Sequence, residues 1–176
     1  MVATTRLRLS RAARWIHLVL VAAGAVVIVA TYGIRFVRVT GFSMAPTLNN
    51  GDVLLIDSLD YELGDPQIGD IAILYYPASP SHLFIKRIIA TAGDTVRVTN
   101  GRAYVNGQLK CDQYVPVSFR SADQMPTERV ALGYYFVMGD HRNDSSDSRE
   151  WGLVPRRYVL GKARVRWWPI RSATIF

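Results

Sequence analysis

The sequence of 176 residues is poor in cysteine, lysine and histidine, and each shortage narrows what the chain can do. A single cysteine, Cys111, excludes an intramolecular disulfide. Three lysines stand against 18 arginines, and only three histidines occur, so few side chains are available as a base near neutral pH. Clusters with zinc-ligand spacing and calcium loops of the D-x-[DN]-x-[DN]-G pattern are both missing from the sequence. No metal or other cofactor is therefore predicted.

Acidic residues are missing from one end of the chain. Residues 1–35 contain five arginines and no aspartate or glutamate, whereas residues 36–176 contain 16 basic and 14 acidic residues. The net charge of +7 therefore comes mostly from the N-terminal segment. Because the rest of the chain is nearly neutral, its charge gives no support to nucleic-acid binding.

A long apolar run follows the first arginines. The segment from Trp15 to Ile34, WIHLVLVAAGAVVIVATYGI, contains no aspartate, glutamate, lysine or arginine. Twenty helical residues extend over about 30 Å, the thickness of the hydrocarbon core of a bilayer. The arginines before the run outnumber those directly after it, and positively charged flanks stay in the cytoplasm. The sequence therefore predicts a cytoplasmic N-terminus at 1–14, a transmembrane helix at 15–34 and an extracytoplasmic domain at 35–176. The sequence thus predicts a single-pass protein of the plasma membrane.

Two other interpretations of this run exist. A cleaved signal peptide has a shorter apolar core with small residues at its far end, but here the small residues lie in the middle. A core helix of a soluble domain is the second interpretation, but an apolar run with almost no polar face makes a poor soluble helix. Both comparisons favour a retained anchor.

The rest of the chain has the pattern of a β protein. Asn100-Gly101 and Asn106-Gly107 are typical of hairpin turns, because both central residues of a type I′ turn need positive φ. Residues 112–133 lack a clear pattern and are predicted to leave the sheet. Strands are predicted in these runs: DVLLID (52–57), DIAILYY (70–76), FIKRIIA (84–90), TVRVT (95–99), RAYVNG (102–107), YYFVMG (134–139) and VLGKARVRWW (159–168). The predicted fold class is mainly β, a single N-terminal transmembrane helix followed by a compact antiparallel β domain.

A serine directly after the anchor lies in an unusually constrained stretch, VTGFSMAPTLNNGD (39–52). Gly41 frees the backbone two residues before Ser43, and Pro46 restricts it three residues after. An ordinary turn is the simplest interpretation of this pattern. A nucleophilic serine is the alternative, and it needs a base within hydrogen-bonding distance.

Two side chains are candidates for that base. His141 lies among acids in GDHRNDSSDSREWG, which leaves a Ser–His–Asp triad open. Lys86 lies in the apolar run FIKRII, where burial could lower its pKa from about 10.4 by the 2–3 units that a base near neutrality requires. A lysine whose ammonium reaches solvent from a strand edge is the alternative interpretation of Lys86.

Four segments occur in the order found in the type I signal peptidases (leader peptidases), a family of membrane-anchored Ser/Lys endopeptidases. The segments are GFSMAPTL (41–48), GDIAIL (69–74), KRIIATAGD (86–94) and GDHRNDSSDSREWG (139–152). The chain resembles that family, and the resemblance implies its antiparallel β fold. It also implies removal of N-terminal signal peptides from exported preproteins after small-x-small sites, usually Ala-x-Ala. The implied partners are those preproteins, the lipid bilayer and a neighbouring secretion translocon.

Matching these segments residue by residue assigns the central roles. The resemblance implies that Ser43 is the nucleophile and Lys86 the general base. Ser145 matches a serine that hydrogen-bonds the lysine nitrogen. Asp147 and Arg149 match a salt-linked pair that braces the same loop.

Further residues match supporting positions or depart from the family pattern. Met44 matches a residue that lines the pocket beside the nucleophile, and Asp140 and Arg142 match positions with a supporting role. Gly41 stands where many members have a hydroxyl that helps to hold the oxyanion, which leaves the backbone N–H of Ser43 as the expected donor. His141 stands where asparagine is usual, and it is interpreted as structural.

Other functions remain open at this point. A specialised pilin or conjugation-type maturation peptidase, or an autoprotease of the SOS-repressor kind, would use the same Ser/Lys pair. A membrane-anchored β domain that only binds partners, or has lost activity, is an alternative of a different class. The four segments behind an anchor favour a general signal peptidase.

Overall fold

The structure is a computed structural model that describes residues 11–28, 33–110 and 112–176. The apolar N-terminal segment forms helix α1 (Arg11–Ile28). Among the described residues, no helix is both long enough and apolar enough to cross a membrane.

Parts of the sequence predictions lie outside the described residues. These parts are residues 1–10 of the predicted cytoplasmic segment, residues 29–32 of the predicted span, and Cys111. Ile34, the predicted last residue of the span, is instead the first residue of strand β1 (Ile34–Arg38), where it pairs with Asp57. The pairing explains the difference, because the backbone of Ile34 already belongs to a sheet.

Twelve strands and two short α-helices follow α1 in the described residues. The helices are α2 (Leu59–Leu63) and α3 (Ser148–Trp151). The strands after β1 are β2 (Val53–Asp57), β3 (Ile71–Tyr75), β4 (Leu83–Ala90), β5 (Thr95–Thr99), β6 (Arg102–Val105), β7 (Gln108–Leu109), β8 (Gln124–Arg129), β9 (Tyr134–Met138), β10 (Val154–Pro155), β11 (Val159–Trp168) and β12 (Thr174–Ile175).

The strands form two antiparallel sheets. The larger has the order β1-β2-β11-β3-β4-β9-β10, with β12 paired to β11, and the smaller has the order β7-β6-β5-β8. Every pairing is antiparallel, which confirms the predicted fold of the domain. Both Asn-Gly turns have positive φ at their two residues, as the hairpin prediction requires.

One part of the β prediction is wrong. Residues 112–133 do not simply leave the sheet, because Gln124–Arg129 forms β8 and pairs with β5. Five of the six residues of β8 are exposed, so the strand lacks the apolar alternation by which a half-buried strand is detected.

Buried apolar side chains connect the sheets and the segment around Ser43. One cluster joins the smaller sheet to β9 through residues such as Val98 and Phe136. A second packs Met44 and Leu48 against Leu54 of β2. Full burial of such a side chain is worth about 1.5–3 kcal/mol, so this packing fixes the segment around Ser43 on the larger sheet.

Candidate active site

Ser43 lies in a tight turn between β1 and β2. Its neighbour Met44 is buried, and the N–H of Leu48 donates a hydrogen bond to the Met44 carbonyl at 2.8 Å. Gly41 has a φ of +95°, a backbone conformation that residues with a Cβ rarely adopt. The turn therefore requires the backbone freedom that the sequence predicted for this glycine. The turn is therefore held from both sides, and Ser43 has a defined position.

Lys86 lies in β4, opposite Ala72 of β3, and is only 3% exposed. Its Nζ donates a hydrogen bond to Ser43 Oγ over 2.8 Å. Burial lowers the pKa of Lys86 from 10.5 to about 8, although the nearby charge of Asp147 acts to raise it. The solvent-reaching interpretation of Lys86 is therefore wrong, because its amine is buried against the serine hydroxyl.

Asp147 is the centre of the loop that follows β9. Its fully buried carboxylate accepts hydrogen bonds from the Gly139 N–H at 2.9 Å and from Ser145 Oγ at 2.8 Å. Arg149 donates to the same carboxylate through Nε and a terminal nitrogen, at 2.8 and 2.7 Å. The predicted pairing of Asp147 with Arg149 is thus present, and it ties the loop to the end of β9.

The hydrogen-bond partner of Ser145 differs from the predicted one. Its hydroxyl donates to Asp147, and no hydrogen bond joins it to Lys86. The bond that the hydroxyl donates to the buried carboxylate is charge-assisted, and such bonds are stronger than those between neutral groups. Ser145 still lies close to Ser43, because a methyl group on Gly139 would overlap both Ser145 Oγ and the Ser43 carbonyl oxygen.

Asp140 and Arg142 occupy buried supporting positions, but they do not pair with each other. The Asp140 carboxylate accepts two hydrogen bonds from Arg87, at 2.9 and 2.6 Å. Arg142 donates to the carbonyls of Gly139 and Gly101, at 3.0 Å for the first. Arg87 directly follows Lys86 in β4, and through Asp140 it joins this strand to the loop after β9.

His141 contacts the turn around Ser43, but its ring makes no hydrogen bond to the Ser43 hydroxyl. Its backbone N–H donates to the Ser43 carbonyl at 3.0 Å, and its Nδ1 lies 3.3 Å from the Phe42 carbonyl oxygen. The ring stacks on Phe119 with the centroids 3.9 Å apart. These contacts do not form the Ser–His–Asp triad that the sequence left open.

A cleft of about 550 Å³ opens beside the dyad. Its walls include Ser43 and Lys86, and Met44 lines it as predicted. The other apolar residues of the lining are Val37, Val39, Phe42, Ile73, Leu83, Phe84 and Ile85. The cleft can therefore hold a short apolar group next to the serine hydroxyl.

Three residues of the loop network were missed from the sequence. They are Arg87, which binds Asp140, and Asp123 and Ser121, which both accept hydrogen bonds from Arg149. Only the register of β4 against β9 indicates the contact of Arg87 with Asp140. Arg87 lies opposite Met138, and Met138 is two residues before Asp140. That register cannot be known before the strands are paired.

A buried lysine amine hydrogen-bonded to a serine hydroxyl, beside an apolar cleft, is the kind of arrangement found in serine hydrolases. The model of the family described as signal peptidase, peptidase S26, matches residues 12–168. The chain belongs to this family.

Individual relatives agree with the family match. The chain is 42% identical over 134 residues to a probable signal peptidase I-2 of Synechocystis sp., covering 73% of this chain and 60% of that relative. It is 31% identical over 195 residues to signal peptidase I of Pseudomonas aeruginosa, covering 82% and 69%. A crystal structure of a signal peptidase I from Enterococcus faecalis V583 shares 29% identity, with a TM-score of 0.47 over 56% of this chain and 97% of that one. The chain thus spans about three fifths of the Synechocystis relative.

Proposed function

We propose that this chain is a signal peptidase I, a serine endopeptidase that removes N-terminal signal peptides from exported preproteins. The observation that carries the proposal is the 2.8 Å hydrogen bond between Lys86 Nζ and Ser43 Oγ, made by a lysine that is 3% exposed. Relatives named signal peptidase I in several bacteria support the same reaction for this chain.

In the proposed reaction Lys86 is neutral and accepts the Ser43 proton. The serine Oγ then attacks the scissile carbonyl carbon, and the protonated lysine later donates that proton to the leaving amine. A water molecule, activated by the same lysine, hydrolyses the serine ester and releases the signal peptide. Burial serves this cycle, because a lysine with a pKa of about 8 is partly neutral at pH 7.

The supporting residues hold the dyad in place. Asp147 and Arg149 fix the loop after β9, and Ser145 fills the space between that loop and the Ser43 carbonyl. Among the described residues, none accepts a hydrogen bond from the backbone N–H of Ser43. This N–H is therefore available for the oxyanion of the tetrahedral intermediate.

The cleft suits a substrate with small residues before the cut, of the Ala-x-Ala kind. Its mostly apolar lining favours apolar side chains such as alanine over charged ones. In the described part of the chain, residues 83–86 of β4 pair with β3 on one edge only, since pairing with β9 begins at Arg87. An extended substrate can add to this free edge and bring its scissile bond to Ser43.

The proposed enzyme is anchored in the plasma membrane by the apolar run that begins at Trp15 and ends before β1, with its N-terminus in the cytoplasm and its catalytic domain outside. The arginines before the apolar run and the length of that run support this topology. Trp167 and Trp168 are 56% and 52% exposed, and Phe36 packs edge-on against Trp167. Exposed aromatic side chains of this kind suit a bilayer surface, where substrates arrive from the secretion translocon.

The test is cleavage of a preprotein with an Ala-x-Ala site by the full chain in detergent or lipid. Wild type is compared with Ser43→Ala and Lys86→Ala. Loss of a nucleophile or its base costs about 10⁴- to 10⁶-fold in serine hydrolases, so neither variant should give detectable product. The N-terminus of the released mature protein is determined by mass spectrometry.

Two outcomes of the cleavage assay would contradict parts of the proposal. Activity that survives Lys86→Ala would place the base elsewhere, with His141 as the next candidate. A folded wild-type protein that cleaves no preprotein would contradict the proposal and favour a specialised maturation peptidase or a non-enzymatic domain.

The proposal also fixes the direction of the pH dependence. Because the reactive form of Lys86 is the neutral amine, kcat/KM should rise about tenfold per pH unit below pH 8 and level off above it. The pH profile of kcat/KM for a fluorogenic peptide checks this. A midpoint near 6.5, the ordinary value of histidine, or near 10.5 would contradict a buried lysine base.

A further inference from the structure

One residue holds the peptide groups on both sides of Ser43. The backbone N–H of His141 donates to the Ser43 carbonyl at 3.0 Å, and its ring Nδ1 lies 3.3 Å from the Phe42 carbonyl oxygen. A carbonyl oxygen can only accept, so the second contact requires that Nδ1 carries a hydrogen. The Phe42 carbonyl also accepts from the Ala45 N–H at 2.9 Å, which adds a second constraint on the same peptide group.

The orientation of this peptide matters because it contains the Ser43 N–H. In a trans peptide the C=O and the N–H point in opposite directions. With the Phe42 carbonyl held by His141 and Ala45, the Ser43 N–H is directed away from them, and none of the described residues accepts its hydrogen bond. Fixing the carbonyl therefore fixes the direction of the free donor.

The imidazole ring is itself held in position. It stacks on Phe119 with an angle of 17° between the planes, and the Asp144 carboxylate lies 4.0 Å from Nδ1. Phe119 belongs to the segment between β7 and β8, so the ring connects that segment to the turn around Ser43. Gly41 has no side chain that could donate to an oxyanion, which leaves more of this task to the Ser43 N–H.

We infer that His141 is a positioning residue for the oxyanion site: its Nδ1–H holds the Phe42–Ser43 peptide so that the Ser43 N–H faces the scissile carbonyl oxygen. This inference rests on the proposed function. His141 touches neither the substrate nor the dyad hydroxyl in this role, and it acts through the backbone. A hydrogen bond to the carbonyl also polarises the peptide and makes its N–H a stronger donor.

The experiment compares His141→Phe with His141→Asn in the full chain. Phenylalanine keeps a flat ring against Phe119 but has no donor, whereas the Nδ2 of asparagine can donate from the position of the imidazole Nδ1. Removing a direct oxyanion donor costs about 10²- to 10³-fold in kcat, so a donor that acts through the peptide should cost about tenfold. His141→Phe should therefore lower kcat about tenfold with little change in KM, and His141→Asn should stay within about twofold of wild type.

A second readout separates positioning from general damage. Wild type and both variants are assayed with a peptide ester that ends in Ala-x-Ala and with the matching thiono ester, whose sulfur accepts hydrogen bonds poorly. A weakened oxyanion site should reduce the preference for the oxygen ester in His141→Phe and not in His141→Asn. Phe119→Leu removes the ring on which the imidazole stacks but keeps the donor, so it should reduce this preference less than His141→Phe does, and it measures how much loss of packing alone contributes.

The outcomes distinguish this inference from the function on which it rests. An unchanged kcat in His141→Phe, or an equal loss of kcat in both variants with no change in ester preference, would overturn the role of His141. Wild-type protein that cleaves neither ester nor any preprotein would instead contradict the proposed function.

Discussion

Replacing Asp147 with asparagine is expected to lower the free energy of unfolding by about 3 kcal/mol or more, the cost of removing one partner of a buried ion pair. The carboxylate is fully buried and accepts hydrogen bonds from Arg149, from the Ser145 hydroxyl and from the Gly139 N–H. An amide of the same shape has one acceptor oxygen and turns a donor group toward these donors. Arg149 would then remain mostly buried without its main counter-charge.

The matched control is Asp123→Asn. Asp123 pairs with the same arginine, but its side chain is 45% exposed, so its loss should cost about 1 kcal/mol or less. Burial alone acts to lower the pKa of Arg149, and the bonds and charges of Asp147 and Asp123 raise it above its ordinary value. Chemical denaturation of the three proteins measures both changes. Equal losses in the two variants would contradict a dominant role for the buried carboxylate.

The substitution Asp147→Asn should also shift the pKa of Lys86 in a defined direction. The charge of Asp147 acts to raise the pKa of Lys86, so its removal should lower that pKa further. The acid limb of the pH profile should therefore move to lower pH in Asp147→Asn. In Asp123→Asn the limb should move less, because the largest charge acting on the pKa of Lys86 is that of Asp147.

Local patterns were sufficient to predict much of the β domain. The runs TVRVT and VLGKARVRWW coincide with β5 and β11, because apolar and polar side chains alternate along them. The two Asn-Gly hairpins were predictable because few residues tolerate positive φ at both turn positions. The contrast is β8, whose side chains are mostly exposed and therefore carry no such alternation.

The candidate site was predictable in its residues but not in its contacts. Ser43 and Lys86 are 43 positions apart, and only the pairing of β3 with β4 and the packing of Met44 bring their side chains together. Partner choice within the loop also depends on tertiary geometry. The Asp140 carboxylate binds Arg87 of β4, and the Ser145 hydroxyl donates to Asp147, contacts that the order of these residues in the sequence does not indicate.

Replacing Lys86 with methionine should abolish cleavage and, at pH 7, raise the free energy of unfolding by about 1–3 kcal/mol. The pKa of this lysine falls from 10.5 to about 8 on folding, and a difference of that size corresponds to about 3 kcal/mol of destabilisation. Methionine fills a similar volume without a charge, although it loses the hydrogen bond to Ser43, worth about 0.5–1.5 kcal/mol.

The sign of the pH dependence follows from proton binding. Between pH 8 and 10.5 the unfolded chain holds a proton on Lys86 that the folded chain has lost, so the stability of wild type rises with pH over this window. Below pH 8 both states are protonated and the destabilisation is complete. The advantage of Lys86→Met over wild type should therefore be largest below pH 8 and should shrink as the pH approaches 10.5.

Lys162→Met is the matched control, since it removes a lysine that has a carboxylate partner. Lys162 Nζ lies 2.6 Å from the nearly buried Asp70, so the same substitution there leaves an unpaired charge and should destabilise the fold. Denaturation of both variants at pH 7 and pH 10 tests the contrast, and a Lys86→Met protein less stable than wild type at pH 7 would contradict it. A higher free energy of unfolding in Lys86→Met would show that the buried amine destabilises the fold. Such a cost is expected where the proposed chemistry requires a lysine that is neutral near pH 8.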